Sequence, residues 1–283
     1  MDGIIVVNKP KGITSRDVVN KACKLLNTKK IGHTGTLDPI ATGVLVLCVG
    51  KATKLVEVLT KNDKEYIATV KLGILTDTLD TDGTIIEKKQ ASLDKNELEN
   101  VLKSFIGMYN QEVPIYSAVK INGKKLYEYA REKKEVTLPK RMVEIKDIKL
   151  LELNNNYYKF KVSVSKGTYI RSLIKDINKK LGILGVMSDL IRTRQGKFLI
   201  NDSNSLEDME NGNYNVLTIT DVLKDENCAI IDSTLFKNVK NGAIINNKYN
   251  TDMVTFIYKD NVIAIYKTYD KDKNKMKPYK MFI

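Results

Sequence analysis

The residue types that can do chemistry gather in residues 30–54, KIGHTGTLDPIATGVLVLCVGKATK. His33 is the only histidine of the chain, and Asp38 is the only carboxylate of this stretch. A positioned carboxylate can act as a nucleophile or stabilise a developing positive charge. Gly32, Gly35 and Gly43 permit backbone conformations closed to other residues. Pro39 biases Asp38 towards an extended conformation. The apolar run 44–49, flanked by glycine, predicts a buried strand that anchors the loop. A polar loop fixed to a rigid strand is a common way to present one reactive side chain. On pattern alone, a glycine-rich connection whose aspartate caps a turn is an equal alternative.

Other chemistries fail on residue type or spacing. One histidine and the dispersed Cys23, Cys48 and Cys228 cannot supply a zinc site of the usual kind, so no metal is expected. Gly50-Lys51 suggests a phosphate loop, but Ala52 follows the lysine and Leu45 stands where the upstream glycine belongs. The run TDTLDTDG over 76–83 imitates part of a calcium loop; it would have to begin at Thr78 and end on Lys89. A Ser/His/Asp triad could use only His33, and no nucleophile elbow accompanies it.

Composition narrows the partner. Lys plus Arg number 47 against 34 acids, a formal net charge of +13, which suits a polyanion: nucleic acid or an anionic membrane surface. No apolar run approaches the length of a membrane span, and the start, MDGIIVVNK, does not read as a secretory signal. Three scattered cysteines fit a reducing compartment. A soluble cytoplasmic protein is expected. With 283 residues and 42% hydrophobic content, the chain can bury one large domain, or a large one plus a small one.

Periodicity and caps predict the elements around the loop. A strand over 4–7 leads through the turn KPKGITS to a helix over 15–26, with Ser15 as N-cap and Val18, Val19, Ala22, Cys23 and Leu26 on one face. By residue type alone, Lys9 in that turn is exposed. A short helix over 53–60 precedes the strand KEYIATVKLG, in which Tyr66 is in register with Ala68 and Val70; such a tyrosine usually belongs to the core. Asp94 with Glu97 starts a helix carrying Leu98, Val101, Leu102 and Phe105. Strands over 145–153 and 157–164 form a hairpin around Asn154, Asn155 and Asn156. The second half of SKGTYIRSLIKDI reads as a helix with Ile170, Leu173, Ile174 and Ile177 inward, and Arg171 alone would be a surface arginine at its start. Residues 202–215 read as a surface connection, and the chain from Cys228 onward reads as strands and turns.

Against this background GHTGTLDPxATGVL resembles the catalytic signature of the TruB family of pseudouridine synthases, over fourteen positions. Further segments are similar to that family: KPxGxTS from Lys9, TDTxDxDG, PxYSAxKxxGxxxYxxAR from Pro114, and KGTYIR. DLIRTRQGKF also approximates the family's LRRTxxG segment, with Ile191 where an arginine is common. The resemblance implies an α/β (α+β) fold: a catalytic domain with a mixed, largely antiparallel sheet flanked by helices over 1–225, and a small, mostly β, PUA-like RNA-binding domain over 226–283. It implies an RNA-gripping insertion over about 109–141. There the eight basic residues Lys120, Lys124, Lys125, Arg131, Lys133, Lys134, Lys140 and Arg141 interleave with tyrosines. Individually those lysines read equally as a solvated face.

The implied reaction converts a uridine in the T-loop of tRNA, position 55 in tRNA convention, to pseudouridine without a cofactor. The family assigns catalysis to Asp38, with Arg171 holding its carboxylate and Tyr66 stacking on the base or taking a proton. It places Lys9, Pro10 and Tyr169 beside the site, and Leu190 against the base. His33 would be a wedge in the space the flipped base leaves, while Lys120 and Arg131 would contact RNA. The tRNA T stem-loop is then the partner, with no membrane and no protein partner, for a monomer. A non-catalytic RNA-binding protein fits the charge equally well but has no use for Asp38, Tyr66 and Arg171 together. The same chemistry on ribosomal RNA or in a guide-RNA complex is a further alternative, against which the insertion argues.

Overall fold

The computed structural model describes residues 1–224 and 227–283. The expected domain boundary at 225/226 lies outside the described residues. A large mixed sheet runs in the order Gly3–Lys9, Thr42–Val49, Gly185–Gln195, Lys64–Leu72, Tyr157–Val164, Lys140–Leu153, Gly107–Glu112. Along that order, neighbours are antiparallel except Thr42–Val49 beside Gly185–Gln195, which pair in parallel through Ile191 with Thr42 and Arg192 with Gly43. Among the described residues, no helix is long and apolar enough to cross a membrane.

Strand patterning explains which face carries what. Lys64–Leu72 buries every second residue, Tyr66, Ala68 and Val70 among them. Tyr157–Val164 does the same with Tyr158, Phe160, Val162 and Val164. Helices Lys95–Lys103 and Ile170–Leu181 bring Leu98, Leu102, Leu173, Ile174 and Ile177 onto that face. Thr42–Val49 is covered on both sides, as its unbroken apolar run requires. Val44, Val46 and Cys48 face one cluster, and Leu45, Leu47 and Val49 face the helix Ser15–Leu25.

The seam between Thr42–Val49 and Gly185–Gln195 needs a residue without a side chain. Gly43 has φ +99, and a Cβ there would lie 2.3 Å from the Arg192 carbonyl oxygen.

Several local expectations need correction. The helix Ser15–Leu25 is capped by Thr14, because Asp17 sits at the position that completes a reciprocal capping box with it. The segment expected as one helix over 53–60 is a 3₁₀ turn, Gly50–Leu55, followed by a helix, Val56–Thr60. Residues 202–215 are not simply surface: helix Leu206–Glu210 buries Leu206 and Met209, and buried Asn204 donates to the Val6 carbonyl. A helix Ser233–Lys240, capped by Asp232, stands where strands and turns were expected.

The strands Gly107–Glu112 and Lys140–Leu153 belong to the main sheet, so Tyr109, Lys140 and Arg141 are sheet residues. Between them, residues 113–139 leave the sheet and form a small hairpin and the helix Leu126–Arg131. The C-terminal part is a five-stranded sheet, with Ile231, Val254, Phe256, Tyr266 and Met276 in its own core. Its other face puts Val262, Ile265 and Phe282 against Ile4, Val6, Leu55 and Phe198 of the main body.

Candidate active site

The loop that carries Asp38 is pinned from beneath. Ser15, freed from capping, accepts from the Leu37 N–H (2.9 Å) and donates to the Leu37 carbonyl (3.2 Å). Lys9 is fully buried rather than exposed, and its ammonium donates to the carbonyls of Pro10, Ile13 and Pro39 at 2.9, 2.7 and 3.3 Å. Burial lowers the Lys9 pKa to about 8. On the other side, buried Arg192 donates to the carbonyls of Val44 (2.6 Å) and Gly35 (3.0 Å). Gln195 donates to the Thr34 carbonyl at 3.2 Å. These bonds give the polar backbone of a glycine-rich turn fixed partners.

Asp38 projects from this loop onto Arg171, which stands in the first turn of helix Ile170–Leu181. The pair is bidentate: Nε to Oδ2 at 2.9 Å and Nη2 to Oδ1 at 3.0 Å. The guanidinium also donates to the carbonyls of Thr78 and Tyr116, each at 3.0 Å, so its orientation is fixed on every side. Asp80 stands 4.0 Å from Arg171 Nε. Burial raises the Asp80 pKa against the hydrogen bond from Thr78 and the pull of Arg171. The Asp38 side chain keeps 33% of its surface open while Arg171 keeps 6%, so the aspartate is the member presented outward.

It opens into a cavity of about 270 Å³. Leu37, Asp38, Tyr66, Leu190, Tyr169 and Arg171 form the wall given by the main body, and Tyr116, Ser117, Ala118 and Tyr127 form the part given by the insertion. Tyr66 and Leu190 come from adjacent strands and share a face, since Leu190 pairs with Ala68. Ile191 pairs with Ile67 and points to the opposite face, so an arginine there would not reach the cavity.

Five of the residues expected at the site, Asp38, Tyr66, Arg171, Tyr169 and Leu190, thus line one cavity. Lys9 lies under the loop, with exposed Pro10 accepting from its ammonium. His33 is outside the cavity wall, at the end of strand Ile31–His33, with Nδ1 accepting from the Gly35 N–H at 3.3 Å. Burial, then Arg192 and Arg16, lower its pKa, so its ring is neutral at pH 7. Lys120 and Arg131 are exposed on the insertion, and the Arg131 guanidinium lies 5.3 Å from the ring of Tyr127.

Ser15 was expected only as a helix cap, and sequence reasoning gave no role to Asp80, Gln111, Arg192 or Gln195. Gln111 is buried and brackets Tyr169: its Oε1 accepts from the Tyr169 N–H (2.8 Å), and its Nε2 donates to the Tyr169 carbonyl (3.1 Å). Asp80, Ser15, Arg192 and Gln195 had a signal, their places in the TDTLDTDG, KPKGITS and DLIRTRQGKF segments; Gln111 acts through a long-range backbone contact that no local pattern announces.

The chain matches the family model described as TruB family pseudouridylate synthase (N terminal domain) over residues 23–170. It is 39% identical over 300 residues to the tRNA pseudouridine synthase B of Bacillus cytotoxicus, covering all of this chain and 98% of that protein. To the protein of that name from Bacillus subtilis it is 41% identical over 303 residues, with the same coverage. Among solved structures, a chain of an H/ACA RNP bound to a substrate RNA containing 2′-deoxyuridine aligns with a TM-score of 0.75 at 26% identity, covering 99% of this chain and 85% of that one. A chain of a Cbf5-Nop10-Gar1 complex aligns with a TM-score of 0.72 at 28% identity, covering 94% and 78%.

Proposed function

The chain belongs to the TruB family of pseudouridine synthases, and on that premise we propose that it isomerises uridine 55 in the T-loop of tRNA to pseudouridine. The fold agrees: a pseudouridine synthase sheet with flanking helices and a small PUA-like β module. The observation that carries the reading is the bidentate Asp38–Arg171 pair at the mouth of a base-sized cavity.

In the reaction the N1–C1′ glycosidic bond breaks, the uracil turns, and a C5–C1′ bond forms. C5 gives up a proton and N1 holds one at the end, so no electron is gained or lost. A base inside a folded loop must first leave its stack and enter the cavity. There the Tyr66 ring and the Leu190 side chain bracket it, from neighbouring strands. Asp38, anionic and held by Arg171, acts on the ribose C1′ or the base ring, as nucleophile or as stabiliser of an oxocarbenium-like state. The Tyr66 hydroxyl is the candidate base for the proton that must be removed. His33, neutral and beside the loop, would stack in the space the base vacates. Lys120 and Arg131 offer exposed charge to phosphates.

The insertion gives Tyr116, Ser117, Ala118 and Tyr127 to the cavity wall, so the chain completes its own pocket. That supports a stand-alone, monomeric enzyme acting on tRNA in the cytoplasm rather than a subunit that relies on a guide complex. The test is incubation of the purified chain with an unmodified tRNA transcript, followed by mapping of pseudouridine. Product at position 55 alone is expected; no product, or product elsewhere, overturns the reading.

A further inference from the structure

Resting on that reading of the site, we propose that Gln111 is a positioning residue for the reaction: its amide clamps the backbone of Tyr169 and so holds the Tyr169 ring in the cavity wall. Tyr169 is the N-cap residue of helix Ile170–Leu181, in an extended conformation (φ −103, ψ 114), and its side chain makes no capping bond. Its carbonyl accepts the first intrahelical bond, from the Leu173 N–H at 3.0 Å, but its own N–H points away from the helix and needs a partner from elsewhere. Gln111, 1% exposed, provides that partner as a strand neighbour would, accepting from the Tyr169 N–H, and it gives the Tyr169 carbonyl a second donor. The second N–H of the same amide goes to the Tyr109 hydroxyl, which fixes the amide's orientation.

A primary amide presents one donor atom and one acceptor atom side by side at the end of an unbranched neutral side chain, as these two partners require. A carboxylate cannot donate, and a thioether does neither usefully. Without the clamp the peptide that carries the Tyr169 N–H loses its partner and can rotate, and the ring shifts from its place in the cavity wall. Arg171, two residues on, is held by its own four hydrogen bonds, so the loss falls on Tyr169. Gln111 never touches the substrate; a misplacement of about 1 Å in a group that does can cost about 10²-fold in rate.

The experiment uses the full chain and an unmodified tRNA transcript, with single-turnover rates and dissociation constants measured separately. The wild type must form pseudouridine; if it does not, the functional reading falls and this inference with it. With an active wild type, Gln111→Met should lower the single-turnover rate about 30- to 300-fold while the dissociation constant stays within about threefold. Gln111→Glu, although it is the same size and can still accept from the Tyr169 N–H, should be no better. In a Tyr169→Ala background, adding Gln111→Met should cost less than about threefold more, because the positioned ring is already gone. A Gln111→Met rate within about threefold of wild type, or a full multiplicative loss in the Tyr169→Ala background, overturns the inference and leaves the function standing. Should Gln111→Met fail to fold, Tyr109→Phe frees the amide's anchor alone. It should lower the rate about three- to tenfold by the same route, and an unchanged rate there also overturns it.

Discussion

Asp38 spends one lone-pair direction of each carboxylate oxygen on Arg171, and each oxygen has another left for a reacting atom. Asp38→Asn keeps the shape but sets an amide N–H against the guanidinium and removes the charge. Turnover should fall by at least about 10³-fold with tRNA affinity within about threefold, in single-turnover and filter-binding assays. Measurable turnover near wild type would end the assignment. Tyr66 is 7% exposed, and its hydroxyl has no hydrogen-bond partner among the described residues, so a bound base is what it can meet. Tyr66→Phe keeps the ring and should lower kcat by about 10²–10⁴-fold if the hydroxyl takes the proton. A rate close to wild type would leave the ring with stacking alone. Lys9 offers a pH test. Its folded pKa, about 8, lies below the unfolded value of 10.5, so between those values the unfolded chain binds more protons and stability rises with pH. Thermal denaturation from pH 7.5 to 10 should therefore show wild type gaining on Lys9→Met as pH rises; a constant gap would mean that Lys9 titrates normally.

At the scale of elements, the seam of the sheet decides whether the loop can exist. A methyl group at Gly43 would strike the Arg192 backbone oxygen at 2.3 Å and nitrogen at 2.9 Å, and φ +99 is itself strained for alanine. Gly43→Ala should cost about 3 kcal/mol or more in denaturant unfolding, and a cost under about 1 kcal/mol would mean that the strands separate freely. The strand anchoring the loop was legible as an unbroken apolar run, and Lys64–Leu72 and Tyr157–Val164 as alternation, because burial on one or both faces is written in every residue. The seam was not: a parallel pairing between residues 43 and 192 leaves no local period. The helices Leu206–Glu210 and Ser233–Lys240 were missed for the opposite reason, being too short for their period to stand out from polar surroundings. At the site, Asp38 was legible because a long motif surrounds it. Lys9 and Arg192 were not legible as buried, since a lysine or an arginine is ordinarily exposed and only the carbonyls around the loop make burial tolerable.

The whole molecule is joined through a shared core rather than a bare tether. Val262, Ile265 and Phe282 of the C-terminal sheet fill the cluster that also holds Ile4, Val6, Leu55, Phe198 and Val222. Lys280 pairs with Glu57 at 2.7 Å, and Lys54 donates to the Met281 carbonyl at 2.6 Å across the same junction. Truncation after Lys224 would uncover that apolar cluster, so the shortened chain should lose solubility or melt at a lower temperature, which confounds any measurement of RNA binding on it. Charge must be tested in the intact chain instead. Of the six lysines between positions 267 and 280, Lys275 pairs with Asp272, Lys277 with Asp270 and Lys280 with Glu57. Lys271 and Lys273 are exposed and have no ion pair among the described residues, which leaves them available for phosphates. Lys271→Ala with Lys273→Ala should leave the melting temperature and the single-turnover rate at saturating enzyme unchanged. It should weaken tRNA binding and reduce the log–log salt slope by about one for each phosphate no longer neutralised. A slope identical to wild type would show that this end of the sheet does not meet RNA, and that the module serves the fold through its core packing alone.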